Sequence, residues 1–76
     1  MITNKIKSLL SLKGYSFADY ARKLNIFPQT LINKAKKNAY KIYDLIELGN
    51  LTNTRLAFVD ENNNPIIIFN SEDIEK

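Results

Sequence analysis

Cysteine, histidine and tryptophan are missing from this 76-residue chain, and glycine and proline occur only twice each. Without cysteine there is no disulfide scaffold and no thiolate site, and without histidine the commonest general base and imidazole metal ligand are excluded. No catalytic residues, no metal site and no cofactor are expected, and the chain does not read as an enzyme. Long apolar runs are missing too. None exceeds that of Ile66 to Phe69, far short of the ~20 residues that cross a bilayer. Lys5 and Lys7 are not followed by the apolar stretch of a leader, so the expectation is a cytoplasmic protein with no membrane partner. The Asn50-Leu51-Thr52 triplet matches a glycosylation acceptor, a match that carries no weight without a secretion signal. A chain this short lies near the lower size limit for folding alone, so its core is small or completed by a partner.

Charge is present, and it is unevenly spread. Residues 1–41 hold nine Lys or Arg against Asp19 alone, whereas residues 42–76 hold Arg55 and Lys76 against seven carboxylates, so the halves carry +8 and −5. A basic front half joined to an acidic back half is the pattern expected when one end meets a polyanion. Lysine, isoleucine and asparagine are abundant, so the lysine count says less than its confinement to one half.

Apolar spacing predicts four helices and then two strands. Thr3 is placed to cap a first helix over residues 4–13, with Ile6, Leu9 and Leu10 on one side and Gly14 as a left-handed stop. Ser16 and Asp19 have the spacing of a capping box, and Phe17, Tyr20, Ala21 and Leu24 then line one stripe of a second helix. Asn25 tolerates the left-handed backbone that ends it, and Ile26 plugs the turn. Pro28 sits at the favoured first position of a third helix, in which Leu31 and Ala35 face inward with Ile32 beside them. A fourth helix over residues 41–51 has Ile42, Leu45, Ile46 and Leu48 as apolar positions. Gly49 weakens its end by about 1 kcal/mol relative to alanine. Residues 55–59 and 66–69 are β-branched or aromatic and flank the turn-forming run DENNNP, which together read as a hairpin. The fold class is mainly α with a small β element: a helical bundle over residues 1–53, a hairpin of the same domain over 54–70, and a tail over 71–76 that forms a short helical turn or frays.

Residues 16–38, SFADYARKLNIFPQTLINKAKKN, resemble the helix-turn-helix of the Cro/repressor-like (XRE) family of small bacterial and phage regulators. Ala21, Leu24, Asn25, Ile26 and Leu31 fall at the family's spacing: Ala21 lets two helices cross closely, and Leu24, Ile26 and Leu31 fill the wedge between them. The segment YKIYDLIELGNLTNTRLAFVDENNNPIIIF is similar to a branch in which a fourth helix leads into a carboxy-terminal hairpin. Phe27 stands where a capping Ser or Thr is usual, and Phe17 where a phosphate-touching glutamine is common. The resemblance implies a double-stranded-DNA-binding transcriptional regulator, a repressor of phage or mobile-element type, with the third helix in the major groove. It makes Gln29, Thr30 and Asn33 the base-reading residues, since Gln and Asn pair with adenine N6 and N7 and threonine meets a thymine methyl. Lys34, Lys36, Lys37 and Lys41 are then contacts to the DNA backbone. Phe27 packs on a thymine methyl or on a protein partner.

Both faces of the predicted hairpin are apolar, whereas a hairpin lying on a helical layer needs only one such face. A homodimer interface through Phe58, Ile66, Ile67, Ile68 and Phe69 covers the surplus and sets two reading helices about 34–36 Å apart. The competing arrangement folds the helices or the tail over both faces within one chain. The competing function is a protein-interaction module, antitoxin-like or an anti-regulator, that keeps the scaffold and docks a partner through Phe27. An RNA platform is the weaker third reading, because its paired sheet aromatics are not evident. Asp44 and Glu47, three apart on a helix, read as a solvated face.

Overall fold

The computed structural model describes residues 1–74. Four helices, α1 (Ile2–Leu12), α2 (Phe17–Leu24), α3 (Pro28–Lys37) and α4 (Ile42–Thr52), are followed by an antiparallel hairpin of β1 (Leu56–Val59) and β2 (Pro65–Phe69). A 3-10 turn over Ser71–Ile74 closes the described chain. The expected mainly-α architecture with a small carboxy-terminal sheet is the architecture observed. Glu75 and Lys76, the end of the tail, lie outside the described residues.

All four helices stop by one device. A left-handed residue follows each, at Gly14 (φ 84°), Asn25 (61°), Asn38 (54°) and Asn53 (58°). The next amide then reaches back over it: Tyr15 to the Leu10 carbonyl (2.8 Å), Ile26 to Ala21 (3.0 Å), Ala39 to Lys34 (2.9 Å) and Thr54 to Gly49 (2.9 Å). Each closure satisfies a carbonyl that the helix leaves without a partner. Gly14 and Asn25 act as their residue types suggest, while Asn38 and Asn53 perform the same task without having been singled out.

The starts are less uniform. The Ser16 hydroxyl accepts from the Asp19 amide (3.1 Å) and the Asp19 carboxylate accepts from the Ser16 amide (2.9 Å), which completes the expected box. Pro28 occupies the first turn of α3 after Phe27, whose side chain caps nothing. Thr3 is not a cap. Helix α1 begins at Ile2, ahead of the expected start, and Thr3 lies in its first turn, its hydroxyl 2.8 Å from the Tyr40 hydroxyl. That contact ties α1 to the α3–α4 connection, a tertiary use that local spacing does not reveal.

The core gathers Ile6, Leu10, Tyr20, Ala21, Leu24, Leu31 and Leu48, with Leu9, Phe17, Ile26, Tyr40, Leu45 and Leu51 packed around it. Ala21 is fully buried where α2 meets α3, and Leu24 and Leu31 fill that wedge. Phe17 is half-buried and packs against the core: its ring meets Tyr20 edge-on at 6.2 Å, with the Lys7 ammonium 5.2 Å above it. Ile42 departs from expectation, exposed at the first turn of α4, whereas Ile46 and Leu48 are buried. Ala35 is half-buried, and Ile32 lies at the exposed margin.

In the hairpin Leu56 faces Phe69, Ala57 faces Ile68 and Phe58 faces Ile67, but Val59 faces Pro65, so Ile66 is an extra residue that bulges β2. Pro65, with no amide hydrogen to give, stands first in its strand. The Asp60 carboxylate organises the turn by accepting from the amides of Asn62 (2.9 Å) and Asn64 (3.0 Å), and Asn63 takes the left-handed position. Those bonds hold the Asp60 carboxyl below its usual range.

Candidate nucleic-acid interface

Helix α3 has one buried anchor, Leu31, with no exposed surface. Side chains four and seven or eight apart stack on a single helical stripe, so Gln29, Asn33, Lys36 and Lys37 share the side of α3 opposite Leu31. All four are exposed. The Gln29 amide donates to the Asn33 carbonyl oxygen at 3.2 Å, which orients two side chains capable of paired hydrogen bonds along the same stripe. Lys36 and Lys37 have no ion-pair partner among the described residues. Both lie in the last turn of α3, where cations also complement the helix dipole. Lys41, just ahead of α4, is exposed as well.

Lys34 is placed differently from the other expected backbone contacts. Its ammonium donates to the Asp44 carboxylate at 2.8 Å, and the same oxygen accepts from the Lys41 amide at 2.8 Å. Asp44 is only 3% exposed, so it is not part of a solvated face. Its backbone carbonyl takes the hydroxyl of fully buried Tyr20 at 2.7 Å. Burial first, then the Asp44 charge, pushes the Tyr20 phenol well above its ordinary range. One residue of α4 thus holds Tyr20 of α2 and Lys34 of α3. In the sequence Asp44 reads, with Glu47, as a solvated face; its place in the first turn of α4 is the one local signal of its bond to the Lys41 amide. Nothing local signals Lys34, ten residues away. Glu47 is half-buried and lies 3.6 Å from the Lys23 ammonium, a second tie between α2 and α4.

At the mouth of α3, Phe27 is 80% exposed. It borders a shallow hollow of about 400 Å³ shared with Arg22, Asn25, Ile26 and Thr30. The Arg22 guanidinium is engaged by the Asp19 carboxylate at 2.7 Å. Hydrogen bonds from the Ser16 backbone and from Arg22 draw the Asp19 carboxyl below its usual range. Thr30 sits on the flank of α3 between this hollow and the Gln29–Asn33 stripe.

The hairpin leaves its apolar side chains largely uncovered. Phe58 is 67% and Ile66 65% exposed, Val59, Ile67 and Ile68 are also exposed, and Leu56, Ala57 and Phe69 are half-buried. Phe58 and Phe69 pack edge-on at 5.8 Å on one face. Leu9 of α1 and Leu45 and Leu48 of α4 meet the hairpin around Leu56, and Asn50 of α4 borders a hollow shared with Ile68. Within one chain, then, neither the helices nor the Ser71–Ile74 turn covers both faces.

Among the described residues no cluster of acidic side chains has metal-binding geometry, and no helix is long and apolar enough to cross a membrane. No protein-family model, curated protein or solved structure matches this chain.

Proposed function

We propose that the chain binds double-stranded DNA sequence-specifically and acts as a transcriptional regulator, a repressor by occupancy, with α3 entering the major groove. The observation that carries this reading is the single outward stripe of Gln29, Asn33, Lys36 and Lys37 on a helix whose opposite side is sealed by Leu31. Paired amides suit base edges, and lysines one turn further along suit phosphate. The +8 charge of residues 1–41 supports the same orientation. Gln29, Thr30 and Asn33 read bases; Lys36, Lys37 and Lys41 neutralise phosphates.

The active form in this reading is a homodimer joined through Phe58, Ile66, Ile67, Ile68 and Phe69. Exposed apolar side chains on both faces of a two-stranded sheet favour burial against a second copy, which also suits a pseudo-palindromic site.

Phe27 supports a second reading. An aromatic ring exposed at a helix entrance that lacks a side-chain cap is suited to a protein partner. Electrophoretic titration with random-sequence duplex at low salt decides between them. Retarded duplex whose affinity falls steeply with salt supports the DNA reading. Absence of any retarded species removes the DNA reading and leaves protein contact through Phe27.

A further inference from the structure

Asp44 joins α2, α3 and α4 by polar bonds to one residue. Its carboxylate holds the Lys34 ammonium and the Lys41 amide, both at 2.8 Å, and its carbonyl holds the Tyr20 hydroxyl at 2.7 Å. Lys34 is one helical turn from both Thr30 and Lys37, so it borders the outward stripe of α3. Its side chain is nevertheless only 24% exposed, because the ammonium turns inward to a carboxylate that is itself 5% exposed. Extracting that ammonium leaves a buried carboxylate without its counter-charge, which disfavours any rearrangement toward phosphate.

We propose that Asp44 is a positioning residue for the DNA-facing surface: it retains Lys34 in the joint between α3 and α4, so that α3 offers Lys36 and Lys37 to phosphate and withholds Lys34. This rests on the DNA reading above. The joint fixes the angle of α3 relative to α2 and α4, and it sets the number of cations that the helix contributes.

The number of phosphates neutralised is read directly from the salt dependence of binding, because each one contributes about 0.9 to the slope of log affinity against log salt. Asp44→Asn keeps an oxygen for the Lys41 amide and removes the charge that retains Lys34. The measurement is fluorescence anisotropy of a random-sequence duplex titrated with the full chain across a salt series, at temperatures below each variant's melting point. Lys36→Met and Lys37→Met are expected each to shallow the slope by about 0.9, Lys34→Met to leave it unchanged, and Asp44→Asn to steepen it by about 0.9 as Lys34 joins the contacts. Over a fourfold rise in salt, one such contact corresponds to a roughly 3.5-fold change in affinity. A purely structural role for Asp44 lowers affinity without altering the slope, so an unchanged slope in a folded Asp44→Asn protein overturns the inference. A shallower slope in Lys34→Met overturns it as well, since Lys34 must then leave Asp44 for phosphate. Should Asp44→Asn fail to fold, Lys34→Met alone decides. Failure of the unaltered chain to bind duplex removes the DNA reading and this inference together, an outcome distinct from binding with the wrong slopes.

Discussion

Replacing Gly49 by alanine sets two physical effects of opposite sign against each other. Gly49 lies within α4, where alanine is favoured over glycine by about 1 kcal/mol. On propensity alone the substitution stabilises. A Cβ built on Gly49, however, lies 2.9 Å from the Thr54 carbonyl oxygen, 3.5 Å from its carbon and 3.6 Å from the Arg55 Cα. All three atoms are backbone, so no rotamer change relieves the contact. The turn that carries them is pinned by the Thr54 amide on the Gly49 carbonyl (2.9 Å), by left-handed Asn53, and by the Thr52–Thr54 hydroxyl contact at 2.7 Å. Thr52 is itself held by its hydroxyl on the Leu48 carbonyl at 2.8 Å. Overpacking of a fixed site of this kind costs about 1–3 kcal/mol, which outweighs the propensity gain. The expected net effect is a loss of roughly 1 kcal/mol, or a melting temperature lower by about 4–8 °C for a domain of this size. Urea unfolding followed by circular dichroism gives the free energy, with an unchanged m-value as the sign that the native state alone is affected. A Gly49→Ala protein equal to or more stable than the parent would refute the close-approach argument.

Other outcomes follow from single contacts. Tyr20→Phe removes the bond to the Asp44 carbonyl inside a fully buried site and is expected to lower unfolding free energy by about 1–2 kcal/mol, again measured in urea. Asp19 and Asp60 have carboxyl pKa values lowered by their hydrogen bonds. Because the folded values lie below the unfolded ones, these groups stabilise the fold above the ordinary aspartate range, and that contribution disappears as pH falls through the folded values. Carboxyl chemical shifts followed during acid titration should therefore place both midpoints below about 3.9; midpoints at or above it contradict the hydrogen-bonding account. Ile67→Lys in the hairpin is expected to convert a dimer into a monomer in sedimentation, and a monomeric parent protein at high concentration rules out the proposed interface.

What can be read from the chain depends on how local the interaction is. The Ser16–Asp19 box, Pro28 in the first turn of α3 and left-handed Asn25 depend on neighbours a few residues away, and each is legible in the sequence. Periodicity places Ala21 and Leu24 on one apolar stripe and Leu31 on another, and the resemblance to a helix-turn-helix implies the wedge in which they meet. Lys34 is a different case. In sequence it cannot be distinguished from Lys36 and Lys37, and only the crossing of α3 and α4 reveals that it points at Asp44. Asp44 in turn looks solvated beside Glu47 until Tyr20 and Lys34 are seen converging on it. Ile42 is misleading for a related reason: its spacing matches that of buried Ile46, yet it is exposed at the start of α4. Thr3 has the composition of a cap but is used for Tyr40. Gly49 is visible as a weak helix former, while its need for space depends on where residue 54 returns.

Three of the four left-handed positions that end the helices are filled by asparagine, not glycine. Glycine adopts that conformation most easily, but it also leaves the unfolded chain with the greatest backbone freedom to lose. Asparagine carries a Cβ that narrows the denatured ensemble while still accepting the left-handed geometry. In a domain with so small a core, ordering the α2–α3 and α3–α4 corners and the turn from α4 into the hairpin therefore requires less entropy with asparagine than with glycine. The angles between successive helices are correspondingly less free to drift once the chain has folded.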